Sequence, residues 1–113
     1  MEGGPYVGLK TDAIYDWTSF HAECQRAFGF PAFYGRNMDA WIDCMTSLDA
    51  PSDGLSQIHC APGQVVTLQL ESAAEFKVRC PEQYSALVEC SAFVNFRRLE
   101  IGGAAVLALS FNA

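Results

Sequence analysis

Apolar residues recur along this chain in blocks whose spacing switches between helical and strand-like periods. Tyr6-Val7-Gly8-Leu9 has the makings of a short strand. In DWTSFHAECQRAFGFP, Trp17, Phe20, Cys24, Ala27 and Phe28 recur at helical spacing, and Asp16, Thr18 and Ser19 are all candidate caps. Gly29 and Pro31 end that helix. A loop from Pro31 to Gly35 leads to a second helix beginning at Asn37. Met38, Trp41, Ile42, Met45 and Leu48 make one apolar face. At about 100° per residue, Asp39 and Asp43 fall nearly opposite that face. Asp49-Ala-Pro-Ser-Asp-Gly closes the helix and opens a loop reaching roughly to Gly63.

The second half repeats the scheme. QVVTLQL, residues 64–70, is a β-branched and nearly continuous apolar run, which suits a central strand covered on both faces. Ser72 to Lys77 reads as a short helix with Ser72 as cap and Glu75 three residues on. Pro81 suits the first turn of a longer helix to about Ile101, with Tyr84, Leu87, Cys90, Val94 and Ile101 along its stripe. Gly102-Gly103 stops it, and AAVLALS reads as a buried last strand. The order β-α-α-β-α-α-β predicts an α/β domain, a three-stranded parallel sheet packed with four helices.

Composition adds bounds. The chain's 113 residues suit one domain, residues 1–113, with a core that needs no disulfide. Half the residues are hydrophobic, which marks a globular chain. Thirteen acidic residues against seven basic ones give a net charge of −6. That argues against nucleic acid or an anionic membrane as partner, since both want Lys and Arg. The five cysteines are odd in number and lack C-x-x-C spacing, so they read as buried thiols in a reducing compartment. MEGGPYVGLKTDAI carries neither a basic stretch nor an apolar run of the signal-peptide kind, and a cytoplasmic protein is expected.

The candidate chemistry centres on the second helix. Asn37 is a natural N-cap, and Asp39 in the first turn meets the positive end of the helix dipole. Asp43 lies beyond that turn, where Asp is a mediocre helix former, and the pattern alone reads it as a surface residue. No Lys or Arg follows either aspartate at i+3 or i+4. Two like charges at i, i+4 cost roughly 0.2–0.5 kcal/mol, so this helix keeps its carboxylates at a small penalty. A catalytic carboxylate pair needs an apolar pocket to raise one pKa. A Mg²⁺ site needs further oxygen ligands, and Asp49 and Asp53 read better as turn residues. Cys44 with His21 could form a thiolate pair, but Cys44 sits toward the core side of its helix and nothing cationic near it in sequence would activate it, so it reads as a packed thiol. Of the adjacent Phe33 and Tyr34, one is expected to face solvent, where an aromatic beside carboxylates suits a protein-binding hot spot.

AFYGRNMDAWIDCMTSL resembles the central segment of the barstar family, intracellular inhibitors of the secreted ribonuclease barnase. The family pattern is close to Y-Y-G-x-N-L-D-A-L-x-D-C-L-T. Tyr34, Gly35, Asn37, Asp39, Ala40, Asp43, Cys44 and Thr46 match it identically, and Phe33, Met38 and Met45 match in kind. Phe20-His21 falls where the family has Leu-His, Pro31 matches a proline before the aromatic pair, and VLALS resembles the last strand. The resemblance implies a non-enzymatic inhibitor that plugs the active site of a basic ribonuclease or related nuclease toxin. It implies that the carboxylate at Asp43 enters the substrate-phosphate pocket, that Asp39 pairs with a basic group nearby, and that Phe33 packs on the catalytic histidine. The implied partner-binding set is Phe33, Tyr34, Gly35, Asn37, Asp39, Ile42, Asp43, Thr46 and Ser47. No cofactor and no metal is implied, and a chain monomeric until bound is expected.

The departures from the family are specific. Arg36 stands where the family's barnase inhibitor has a glutamate, and Phe33 lacks a tyrosine hydroxyl. Ile42 and Leu48 replace two tryptophans. Arg97 or Arg98 falls near an acidic contact of the last long helix, where a helix C-terminus also favours arginine. The loop 49–63 is longer. These point to a cognate enzyme other than barnase. Two rivals stand beside this reading: an immunity protein neutralising a non-ribonuclease toxin on the same fold, and, ranked low, a metal-dependent enzyme using Asp39 and Asp43.

Overall fold

A computed structural model describes residues 4–112. The chain runs β1 (Tyr6–Leu9), a 3₁₀ turn, α1 (Trp17–Phe28), α2 (Met38–Thr46), a second 3₁₀ turn at Pro51–Asp53, β2 (Val66–Leu70), α3 (Ala73–Arg79), α4 (Pro81–Glu100) and β3 (Leu107–Phe111). The three strands form one parallel sheet in the order β1-β2-β3. This is the α/β architecture and the element order that the hydrophobic pattern predicts. No helix of the described residues is long and apolar enough to cross a membrane.

Register explains the core. Val7, Leu68 and Leu109 stand in line across the sheet, as do Leu9, Leu70 and Phe111. One face of the sheet is sealed along β1 and β2, where Val7, Leu9, Val66, Leu68 and Leu70 are buried, but it opens along β3, where Leu109 is half-buried and Phe111 is 50% exposed, so the last strand is less buried than its apolar run predicts. The other face is only partly covered, for Thr67 and Gln69 are half-buried and their neighbours Tyr6 and Gly8 are exposed. The expectation of a central strand covered on both faces therefore holds for its position and not for its second face. Trp41, Phe20, Phe28, Phe76 and Met45 fill the space between sheet and helices. α1 packs on β1, while α2 packs on α4.

Helix ends follow local chemistry with two corrections. Asp16 caps α1: its Oδ1 accepts from the Ser19 amide at 2.8 Å while the Ser19 hydroxyl accepts from the Asp16 amide. Gly29, with φ at 69°, ends α1 in the left-handed region. Ser72 does not cap α3. It stands at the N-cap position, but its backbone is left-handed and its hydroxyl makes no capping bond; the first helical amide, of Ala73, donates to the Asn112 carbonyl at 2.7 Å. The second correction is Ile101, which stands at the C-cap of α4 and is 77% exposed. There the helix ends and a left-handed Gly102 redirects the chain, so the buried stripe stops at Val94. Trp17, placed on the buried stripe of α1, is likewise partly exposed. Leu48 is fully buried, although α2 ends two residues before it.

Candidate partner-binding surface

α2 begins where Arg36 turns the chain. Arg36 has φ at 53°, a left-handed backbone that a non-glycine residue adopts at some cost. Its guanidinium donates to the Gln25 side chain at 3.1 Å, which ties the turn to α1. Asn37 follows with extended backbone, and its Oδ1 accepts from the Ala40 amide at 2.8 Å. The cap fixes the helix, and the helix fixes its two faces. Trp41, Cys44 and Met45 are buried, while Asp39 and Asp43 are exposed. The carboxylates thus stand one turn apart on the solvent side, as the spacing predicts.

The loop before α2 splits its two aromatics. Phe33 is 77% exposed, whereas Tyr34 is only 6% exposed. Tyr34 offers little of its surface to solvent and borders the partner-facing surface mainly as one wall of the groove beside Phe33. Its hydroxyl lies 2.7 Å from Nδ1 of the buried His21, and its ring packs on Phe30. Burial pushes the phenol pKa well above its usual range. For His21, burial and then the nearby Arg36 charge hold the imidazole pKa below its ordinary value. A neutral His21 and a protonated Tyr34 result, a polar lock under the loop that carries Phe33. The partner of His21 is therefore Tyr34 and not Cys44. Burial, followed by the Asp43 charge, pushes the Cys44 thiol up to about 11. It stays protonated at neutral pH, as a packing thiol should.

Between Phe33 and α2 lies an open groove of about 190 Å³, lined by Phe33, Tyr34, Gly35, Asp43, Cys44 and Leu55 among others. Its walls are largely apolar, with the Asp43 carboxylate at one side. Ile42, Thr46 and Ser47 are half-buried further along α2. The Thr46 hydroxyl is used internally, donating to the Ile42 carbonyl at 2.6 Å. Gly35 and Asn37 are exposed at the start of the surface.

Two arginines that sequence reasoning left at a helix end reach back to this region. Arg97 on α4 contacts Asp43 at 3.3 Å, with side chains 41% and 65% exposed respectively. Asp43 therefore does have a partner, supplied by another helix rather than by its own. Arg98 forks onto Asp49, donating from Nη1 at 2.8 Å and also from Nη2. Asp49 is thus an ion-pair partner fixing the end of α2, and not merely a turn residue. Among the described residues, Asp39 has no cation within ion-pair distance. Nor do three or more His, Cys, Asp or Glu side chains of those residues gather as a metal-ligand group.

The fold and this surface define a small α/β domain that turns a carboxylate-bearing helix, an exposed aromatic and an apolar groove toward solvent. The family model described as barstar (barnase inhibitor) matches residues 5–98, and the chain belongs to the barstar family. Membership gives it a role of the barnase-inhibitor type. No curated protein matches the chain.

Proposed function

We propose that this chain inhibits a ribonuclease by setting the carboxylates of α2 into the enzyme's cationic active site. Asp43 enters the pocket for the substrate phosphate, Asp39 pairs with a basic group at its edge, and Phe33 packs on the enzyme across the groove. The observation that carries this reading is the exposure of Asp39 and Asp43 together on a helix whose other face is sealed in the core. An RNA-cleaving site must bind a polyanion, so it is complementary to such a pair, and opposite charge accelerates encounter. Barnase and its inhibitor are themselves the model case of that steering.

Gly35 supports the same reading. A Cβ there would meet nothing closer than 3.5 Å, and its backbone is not left-handed. The fold has no need of glycine at that exposed position; close approach of a partner does. Gly35→Ala is expected to leave folding stability unchanged and to weaken binding. Asn37, Ile42, Thr46 and Ser47 complete the contact, while Tyr34 props the loop from beneath. The chain acts in the cytoplasm as a monomer until bound.

Arg36 and Arg97 set positive charge within the acidic surface, which favours an enzyme other than barnase. The same two arginines favour the second reading, in which the surface neutralises a toxin that does not cleave RNA. Titrating the chain into an RNA-cleavage assay, with barnase and then other basic ribonucleases, separates the two. Cleavage should vanish at equimolar chain. A chain that leaves every such ribonuclease active while blocking another class of toxin would replace the first reading with the second.

A further inference from the structure

α4 has two apolar faces. The inward one is built from Leu87, Val94 and the buried polar Gln83 and Ser91. Half-buried Tyr84 and Cys90 add to that inward face, and the outward one is apolar too: Val88, Phe93, Phe96 and Leu99 are exposed, with Ala92 between them. These positions recur at helical spacing, so they form one stripe rather than scattered surface residues. The rings of Phe93 and Phe96 stack at 6.4 Å between centroids. A contiguous exposed stripe of this kind marks an interaction surface.

Its position says which one. Arg97 lies one turn beyond Phe93 and contacts Asp43 of α2 at 3.3 Å. The path Asp43, Arg97, Phe93, Phe96 is therefore continuous from the carboxylate face onto the apolar stripe. Toward the other end of α2, Cys90 has its thiol pKa raised by burial first, then by Glu89 and by Asp39. The two helices thus adjoin along the carboxylate side of α2. Glu89 and Glu100 are exposed along the same outward side of α4. With a chain charge of −6, two copies meeting on these faces would set like charges against each other, whereas a basic enzyme would meet opposite ones.

We infer that the outward face of α4 is the second half of the inhibitor surface, and that its occupant is the same basic ribonuclease that α2 engages. This rests on the function proposed above. The enzyme's rim beside its active site offers apolar side chains to Phe93 and Phe96. It also offers a carboxylate to Arg97. When Asp43 moves into a cationic pocket, Arg97 loses its own partner at a closing interface, and a buried cation left alone is costly. A rim carboxylate replaces what Arg97 gives up.

The probe is a ribonuclease isolated from the source cells on immobilised wild-type chain and inhibited by that chain in RNA cleavage. The double variant Phe93→Ser/Phe96→Ser is expected to raise its inhibition constant about tenfold or more. The slope of affinity against salt should stay unchanged, because no charge is removed. Thermal unfolding of the variant serves as the control for folding. An inhibition constant within twofold of wild type, with wild-type inhibition intact, would overturn the α4 surface and leave the function standing. So would a wild-type dimer in sedimentation that the double variant converts to monomer, since a second copy would then cover the stripe. A wild-type chain that inhibits no ribonuclease would remove both.

Discussion

Arg97 and Arg98 are consecutive on α4, and each reaches an aspartate of the α2 segment, but the two pairs differ in burial and in geometry. Arg98 and Asp49 are each 14% exposed. Two guanidinium nitrogens meet two carboxylate oxygens, and Arg98 also donates Nε to the Ala104 carbonyl at 3.0 Å and Nη1 to the Thr46 carbonyl at 3.4 Å. One side chain therefore ties together the end of α2, the end of α4 and the approach to β3. Arg97 and Asp43 make a single contact at 3.3 Å in water's reach. A forked and desolvated pair is hard to exchange, because breaking it strands a charge. A single exposed pair contributes little and exchanges readily. The same chemistry fixes the fold at one position and leaves a carboxylate available at the other.

The sharpest way to break this comparison is to remove the two aspartates in turn. Asp43→Ala should weaken binding to an inhibited ribonuclease by about 100-fold or more, the range for losing one member of a charge pair buried at an interface. Its folding stability, by urea denaturation, should change by no more than about 1 kcal/mol. Asp49→Ala should do the reverse, costing about 2–3 kcal/mol of stability with the affinity of the folded fraction unchanged. Equal losses of stability in the two variants would erase the distinction. Tyr34→Phe tests the lock beneath Phe33 and should cost about 1–2 kcal/mol, since it leaves a buried imidazole nitrogen unsatisfied. The smallest effect belongs to Arg97→Ala, whose stability should stay within about 1 kcal/mol of wild type while Arg98→Ala falls well below it.

His21 adds a pH dependence whose sign follows from its environment. Burial, then the Arg36 charge, holds its folded pKa below the ordinary 6.5. The unfolded chain therefore takes up the proton first as pH falls. The His21 contribution to stability is complete above 6.5, declines as pH drops below it, and levels off beneath the folded value. Urea denaturation across that window, compared with His21→Asn, isolates the contribution; a variant with the same slope as wild type would remove it.

Much of the fold was legible because it rests on local periodicity. The faces of α2, the Asn37 cap, the Pro81 start of α4 and the apolar β2 run each follow from neighbours within a few residues. The exposure of Asp39 and Asp43 was legible for the same reason. What escaped was tertiary. Arg97 meets Asp43 across 54 residues of sequence, and Arg98 meets Asp49 across 49. No intrahelical spacing rule registers such pairs, so Asp43 looked unpartnered and Asp49 looked like a turn. Ser72 misled because it stands at the N-cap position with a left-handed backbone, from which its hydroxyl makes no capping bond. The stripe on α4 was read from its inward periodicity, and the second apolar face hid behind it because Phe93 and Phe96 share a helix with buried neighbours. The family motif supplied the use of the carboxylate face, which geometry by itself leaves open among several cationic partners.

The central claim is that a carboxylate of α2 occupies the site where the ribonuclease holds a substrate phosphate. Competition with a small occupant of that site tests it most directly. Binding of the chain to an inhibited ribonuclease would be measured by calorimetry at rising concentrations of a mononucleotide product. The account predicts mutually exclusive binding, with the apparent Kd of the chain rising in proportion to mononucleotide and Asp43→Ala losing that dependence. A stable ternary complex of enzyme, mononucleotide and wild-type chain, with the Kd unmoved, would contradict it.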